Sequence, residues 1–261
     1  MTIGKWQIIT KHSRISGKNM ENLKSLSKEQ KVRTIIDFWH RTMMHHAIWF
    51  AEVQHQLGRE KAFEIMKNAW EKSYDIQMKR LSKVLGFEMQ EDLPKPLLDL
   101  PEPKIDELMN ATAVSWLAND GVWFQSVEFA YGMHDAKRCN DTAWGYFSPF
   151  EAMSIKKLLS LPENSGLDGL KKALQFRLYA CVNEQSIVEE TENSFVFQMN
   201  DCRVQSARKR KNLDDYPCKS GGLVEYRTFA ETIDSRIKTE CICCPPDKHP
   251  DNYYCAWKFY L

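Results

Sequence analysis

Cys241-Ile242-Cys243-Cys244-Pro245-Pro246 is the stretch whose reading decides the fold of the C-terminal third. Two consecutive prolines remove backbone donors and force the chain to turn, so a strand must end before them. Two final strands, about 237–243 and 253–261, therefore flank the turn. Upstream, Leu223, Tyr226, Phe229, Ala230 and Ile233 keep helical spacing, which predicts a helix beginning near Ser220. Before it come a turn ending at Pro217 and the basic segment Arg208-Lys209-Arg210-Lys211, read as a solvated loop. Phe176 to Val182 and Ser194 to Met199 read as an antiparallel pair of strands, preceded by a short helix from Leu167 to Leu174. The order from 166 to 261 is thus β-β-α-β-β.

Working further outward, the period becomes helical. Ile35, Phe38, Trp39, Met43, His46, Trp49, Phe50, Val53 and Leu57 recur at spacings of mostly three and four, and Gly58 suits the position just past a helix end. A second helix is expected over 59–86. The prolines at 94, 96, 101 and 103 predict a stiff, extended connector. Beyond it the pattern repeats with an offset of 74 residues, pairing Trp49-Phe50 with Trp123-Phe124, Gly58 with Gly132, Ala62 with Ala136 and Trp70 with Trp144. The expectation is an α+β protein. A loose arm (1–24) leads into a helical region (25–165) of two repeated helical hairpins, about 25–90 and 105–162. An antiparallel-sheet module (166–261) closes the chain.

Composition narrows the function classes. The 261 residues carry a formal net charge of +1, so no global field favours nucleic acid or an acidic membrane surface. No apolar run approaches the roughly 18–20 residues that span a bilayer. The N-terminal residues lack the pattern of a signal peptide, and a cytoplasmic protein is expected. In a reducing compartment, clustered cysteines more often hold metal than form disulfides. Of eight cysteines, Cys181 lies in an apolar run and reads as a small buried hydrophobe, and Cys139 is isolated. The others fall between 202 and 255. Cys241 and Cys244 form the close pair that a tetrahedral metal site needs, Cys255 lies on the returning strand, and Cys218 stands at the helix start. Thiolate donors favour zinc or an iron–sulfur centre, and Cys202 and Cys243 remain as alternative donors.

These residues resemble the 4-vinyl reductase domain family, small β-β-α-β-β ligand-binding modules that include the sensory domains of phenol-responsive regulators. The family pattern places a cysteine at the helix start, a glutamate or cysteine 23 residues on, a cysteine three further, and a last cysteine on the closing strand. Cys218, Cys241 and Cys244 match in register, and Cys255 takes the last role across a longer loop. This chain has cysteine at 241 where the sensory members have glutamate. The resemblance implies a zinc site beside a pocket for a small, partly apolar molecule, in a sensor or carrier. The whole chain is also distantly similar to relatives of aminothiazoline-carboxylate hydrolase, which implies a cytosolic hydrolase as the alternative. An iron–sulfur redox protein is the third reading.

A second candidate site lies in the repeat, which relates His46 to Asp120 and Trp49 to Trp123. A histidine and a carboxylate facing each other would suit acid–base work, a second metal or ligand binding, with Glu128 two turns on from Asp120. The tryptophans alone read more readily as core. No Gly-rich phosphate loop, nucleophile elbow or zinc-protease helix motif is present. A small-molecule ligand is the expected partner, and the sequence leaves a homodimer open.

Overall fold

The side chain of Ser27 accepts a hydrogen bond from the Gln30 amide, and the Gln30 side chain accepts one from the Ser27 amide at 2.8 Å. This reciprocal cap starts the first long helix, α1 (Lys28–Leu57). Gly58 ends it with φ 86°, a backbone conformation that side chains with a Cβ resist, and α2 (Arg59–Leu85) begins at the next residue. The computed structural model describes residues 22–210, 212 and 215–261. The expected N-terminal arm lies outside the described residues apart from Asn22, Leu23 and Lys24. The chain divides between Val84 and Leu85 into two compact units, and the α1–α2 hairpin forms the first. Its helices meet where Ala62 and Phe63 are buried, with the Phe63 ring 5.4 Å from that of Phe50.

The second unit opens on the expected connector, which is not extended throughout. Met89–Gln90 (β1) pairs with Leu93–Pro94 (β2), and a helical turn follows at Lys95–Leu98 (α3). Pro96 and Pro103 sit in the first turns of their helices, where a missing amide hydrogen costs nothing. Then α4 (Glu102–Tyr131) and α5 (Met133–Leu158) form the second hairpin. The ends of α4 repeat those of α1 at the 74-residue offset, and Gly132, with φ 91°, repeats Gly58. The repeat in sequence is therefore a repeat of two long helices joined through one left-handed glycine.

After α6 (Gly166–Leu174) the chain builds a four-stranded antiparallel sheet from β3 (Glu184–Val188), β4 (Ser194–Asp201), β5 (Lys238–Cys243) and β6 (Cys255–Tyr260), in the order β3-β4-β6-β5. Two helices separate the strand pairs: a short α7 (Arg203–Lys209) and a longer α8 (Lys219–Ile233). The expected β-β-α-β-β module is present with α7 added, so Arg208 and Lys209 belong to a helix rather than a loop. Gly222 lets α8 lie on the sheet, since a Cβ there would stand 2.6 Å from the Trp257 ring. Tyr226 stacks on the same ring with centroids 4.7 Å apart. α5 covers the other side of α8, where Ser148 Oγ donates to the Glu225 carbonyl at 2.6 Å. Leu170, Phe197, Phe229, Trp257 and Phe259 fill the layers between.

The first strand of the module differs from expectation. Residues 176–182 are not a strand: Leu178–Cys181 is a single 3-10 turn, and pairing begins only at Glu184. The cause is Arg177, whose side chain is 1% exposed. Its Nε donates to Glu151 Oε2 at 2.8 Å, and its Nη2 lies 2.7 Å from Glu225 Oε1. The Leu178 amide donates to Glu151 Oε1 at 2.9 Å instead of joining a ladder. Burial alone would lower the Arg177 pKa, but the carboxylates of Glu151 and Glu225 outweigh it and raise it. The displaced turn leaves Cys181 exposed, not buried as its apolar neighbours suggested.

Removing one member of a buried ion cluster strands the others as uncompensated charge, at a cost of about 3–5 kcal/mol. Arg177→Ala should lower unfolding stability by about that much in a urea titration. Arg227→Ala, which breaks an exposed pair within α8, should leave the curve nearly unchanged. Equal effects from the two substitutions would contradict a special role for the buried cluster.

Candidate functional site

Antiparallel pairing brings four cysteines to one end of the sheet. Cys202 directly follows β4, Cys255 opens β6, and the two strands pair Met199 with Cys255. Cys244 directly follows β5, and Cys218 is the residue before α8. The register of β5 and β6 shifts between Cys241, opposite Trp257, and Cys243, opposite Ala256. Cys244 is therefore part of the main core, whereas Cys243 packs with Val196 and Ala256 in a separate cluster. Pro245-Pro246, with a cis peptide bond, makes the expected turn, and the Pro245 carbonyl accepts from the Lys219 amide at 2.8 Å.

The thiols lie near enough to influence one another. The neighbouring Cys218 and Cys255 thiols, with burial, push the Cys244 thiol far above the usual range. Burial pushes the Cys202 thiol up to about 12, and the nearby Cys218 adds to the shift. Cys241 stands to one side; burial raises it to about 11 while Lys219, paired with Asp247 at 2.7 Å, pulls against the rise. Cys218 is held by its surroundings. Its Sγ donates to the Tyr216 carbonyl at 3.2 Å and accepts from Gln205 Nε2 at 3.0 Å, while Gln205 also clamps both backbone groups of Tyr216.

Among the described residues no group of three or more His, Cys, Asp or Glu side chains is placed so that it could hold a metal ion. The chemistry of the donors nevertheless fits a soft divalent metal. Soft sulfur donors come from four separate elements, a donor set suited to a soft cation.

The same thiols face a cavity of about 380 Å³ lying wholly within the second unit. Its volume is in the range of roughly 300–1,000 Å³ usual for small-molecule pockets. Cys202, Cys218, Cys244 and Cys255 line it, and Cys241 does not. α4 presents Asp120, Phe124 and Glu128 at successive turns, and α5 presents Lys137, Asn140 and Trp144. Tyr216 closes the polar end: its hydroxyl donates to Asn140 Oδ1 at 3.2 Å and accepts from Lys137 Nζ at 3.3 Å. Its ring stands edge-on to Phe124 at 5.0 Å. Burial raises the Asp120 carboxyl, with Lys137 opposing the shift.

Of the residues expected in the repeat site, only Asp120 and its neighbour Glu128 reach the cavity. Trp123 lies on the outer face of α4 and is 62% exposed. His46 and Trp49 lie on α1 of the first unit, both exposed, so neither Trp49 nor Trp123 is a core residue. Lys137, Asn140, Tyr216 and Glu225 went unrecognised as site residues. The first two share a helical face with Trp144, a signal that needed the cavity to give it meaning. Cys202 carried a plainer signal, because it ends the strand that pairs with Cys255.

The chain belongs to the DUF6125 family, described as a family of unknown function, which matches residues 24–100 and 98–261. No curated protein and no solved structure matches it. No helix among the described residues is long and apolar enough to cross a membrane.

Thiolate, not thiol, attacks alkylating reagents, so burial and a raised pKa both slow the reaction. In metal-free protein near pH 8, iodoacetamide should label the exposed Cys139 and Cys181 well before Cys202 and Cys244, read by peptide mass spectrometry. Early labelling of Cys244 would contradict the packed thiol cluster.

Proposed function

We propose that this protein binds a small molecule in the second-unit cavity and carries a thiolate-held metal ion, zinc by donor chemistry, in the cavity wall. The role is that of a sensor or carrier. The observation that carries the reading is that Cys218, Cys244 and Cys255 all line one cavity of 380 Å³. Those three thiols are common to the spacing of the 4-vinyl reductase domains and to the packing described above. The fourth donor is Cys241 by spacing and Cys202 by position on the wall. When bound, the metal supplies a positive centre that keeps the thiols deprotonated and ties this end of the sheet to the start of α8. Free cysteines without disulfides suit a reducing compartment such as the cytoplasm.

A hydrolase is the second reading, supported by one observation. The Asp120 carboxyl, raised by burial, is a group able to hold a proton against the cavity. Its expected companion His46 does not line that cavity.

Elemental analysis of the purified full-length chain tests the first reading. It should carry about one zinc per chain and be colourless. Cys218→Ser, Cys244→Ser and Cys255→Ser should each lose most of the metal, and Cys139→Ser should keep it. Cys202→Ser and Cys241→Ser, compared side by side, identify the fourth donor. A brown protein containing iron and sulfide would replace zinc with a cluster, and a well-folded protein that takes up no metal would overturn the reading.

A further inference from the structure

Asp120 is a desolvated carboxylate without a cation of its own. Its Oδ1 accepts only a long bond, 3.5 Å, from Asn140 Nδ2. Lys137, whose field reaches it, is committed elsewhere: its Nζ lies 2.8 Å from Asp141 Oδ1, donates to the Tyr216 hydroxyl and sits 4.8 Å from the centre of that ring. Glu128, two turns along the same face of α4, has no side-chain partner among the described residues. Glu225, over nine-tenths buried, also lines the cavity. Its Oε1 lies 2.7 Å from Arg177 Nη2, so this carboxylate is already paired.

The wall carries three acidic and three basic side chains, yet Asp120 and Glu128 have no ion-pair partner among the described residues. Lys137 pairs with Asp141, Arg203 is exposed, Arg208 has a partner of its own, and Arg177 is consumed by Glu151 and Glu225. The remaining surface is aromatic. Phe124 and Tyr216 meet edge-on beside Asp120, and Trp144 stacks on Tyr179 with centroids 5.6 Å apart. Aromatic faces attract cations, and a carboxylate kept from water gains most from a partner that is both charged and a hydrogen-bond donor. Thiolates around a divalent metal would add further negative charge to the same wall.

We infer that the cavity selects a small ammonium ion with an aromatic or similarly apolar body, its charged nitrogen bound at Asp120 on the cavity side, beside Phe124. The inference rests on the small-molecule-binding reading and adds the chemical class of the ligand. A neutral phenol of the same size offers Asp120 a hydrogen bond but no charge, and an organic carboxylate faces repulsion from it.

Three near-isosteric probes test this on the zinc-loaded full-length chain by isothermal titration calorimetry near neutral pH: phenethylamine, phenethyl alcohol and phenylacetate. The amine should bind roughly tenfold or more tighter than the alcohol, as a charge-assisted hydrogen bond allows, and phenylacetate most weakly. Asp120→Asn should bring the amine and the alcohol to similar affinity while circular dichroism melting shows an intact fold. If Asp120→Asn fails to fold, Glu128→Gln should still narrow the preference through loss of negative charge. Equal binding of amine and alcohol, or a preference that survives in a folded Asp120→Asn variant, would overturn the ammonium assignment and leave the cavity reading standing. Binding of none of the three would remove both.

Discussion

The guanidinium of Arg177 is the fixed point of the second unit. It joins three elements remote in sequence: α5 through Glu151, the turn before β3 through its own backbone, and α8 through Glu225. Its flat face also lies 4.8 Å from the centre of the Phe229 ring. In a low-dielectric interior such a cluster is tolerable only when complete, because each missing partner leaves a charge that water cannot reach. The positions of α5 and α8 are set by this requirement as much as by apolar packing. The cavity follows from it, since Glu225 and Tyr226 on α8, Trp144 on α5 and Tyr179 beside Arg177 are all wall residues.

The same cluster explains where the sequence misled. Residues 176–182 have a strand-like apolar composition, and only the buried charge of Arg177 separates them from a strand. Local pattern carries no record of Glu151 and Glu225, which supply the opposing charge from other elements. The long helices were legible because their spacing and their glycines are local facts. Gly58 and Gly132 each end a helix by a left-handed backbone turn, and the repeat offset passes through both. The prolines of the connector misled for the opposite reason: they can start a helix as well as exclude one.

Equivalence in the repeat did not extend to environment. Trp70 and Trp144 occupy the same position of their hairpins, yet Trp70 is 58% exposed and Trp144 is 5% exposed. Trp144 is enclosed by Trp116, Phe147 and Tyr179, and the last of these comes from the turn that Arg177 holds. Burial at a repeated position therefore depends on what packs against the helix, which the helix itself does not encode. His46 and Asp120 diverge in the same way. Asp120 gains a cavity because the sheet module packs beside its own hairpin.

The cysteines were the most legible part of the site, because strand ends and a helix start fix where they lie. Cys218, Cys244 and Cys255 line one cavity, Cys202 reaches it through the pairing of β4 with β6, and Cys241 does not line it. Whether these thiols act as one metal centre is tested most directly by zinc K-edge X-ray absorption on the purified full-length protein. A shell of sulfur alone at about 2.3 Å is the predicted result. A shell containing nitrogen or oxygen at about 2.0 Å, or the absence of bound zinc, would contradict a metal held by these thiols.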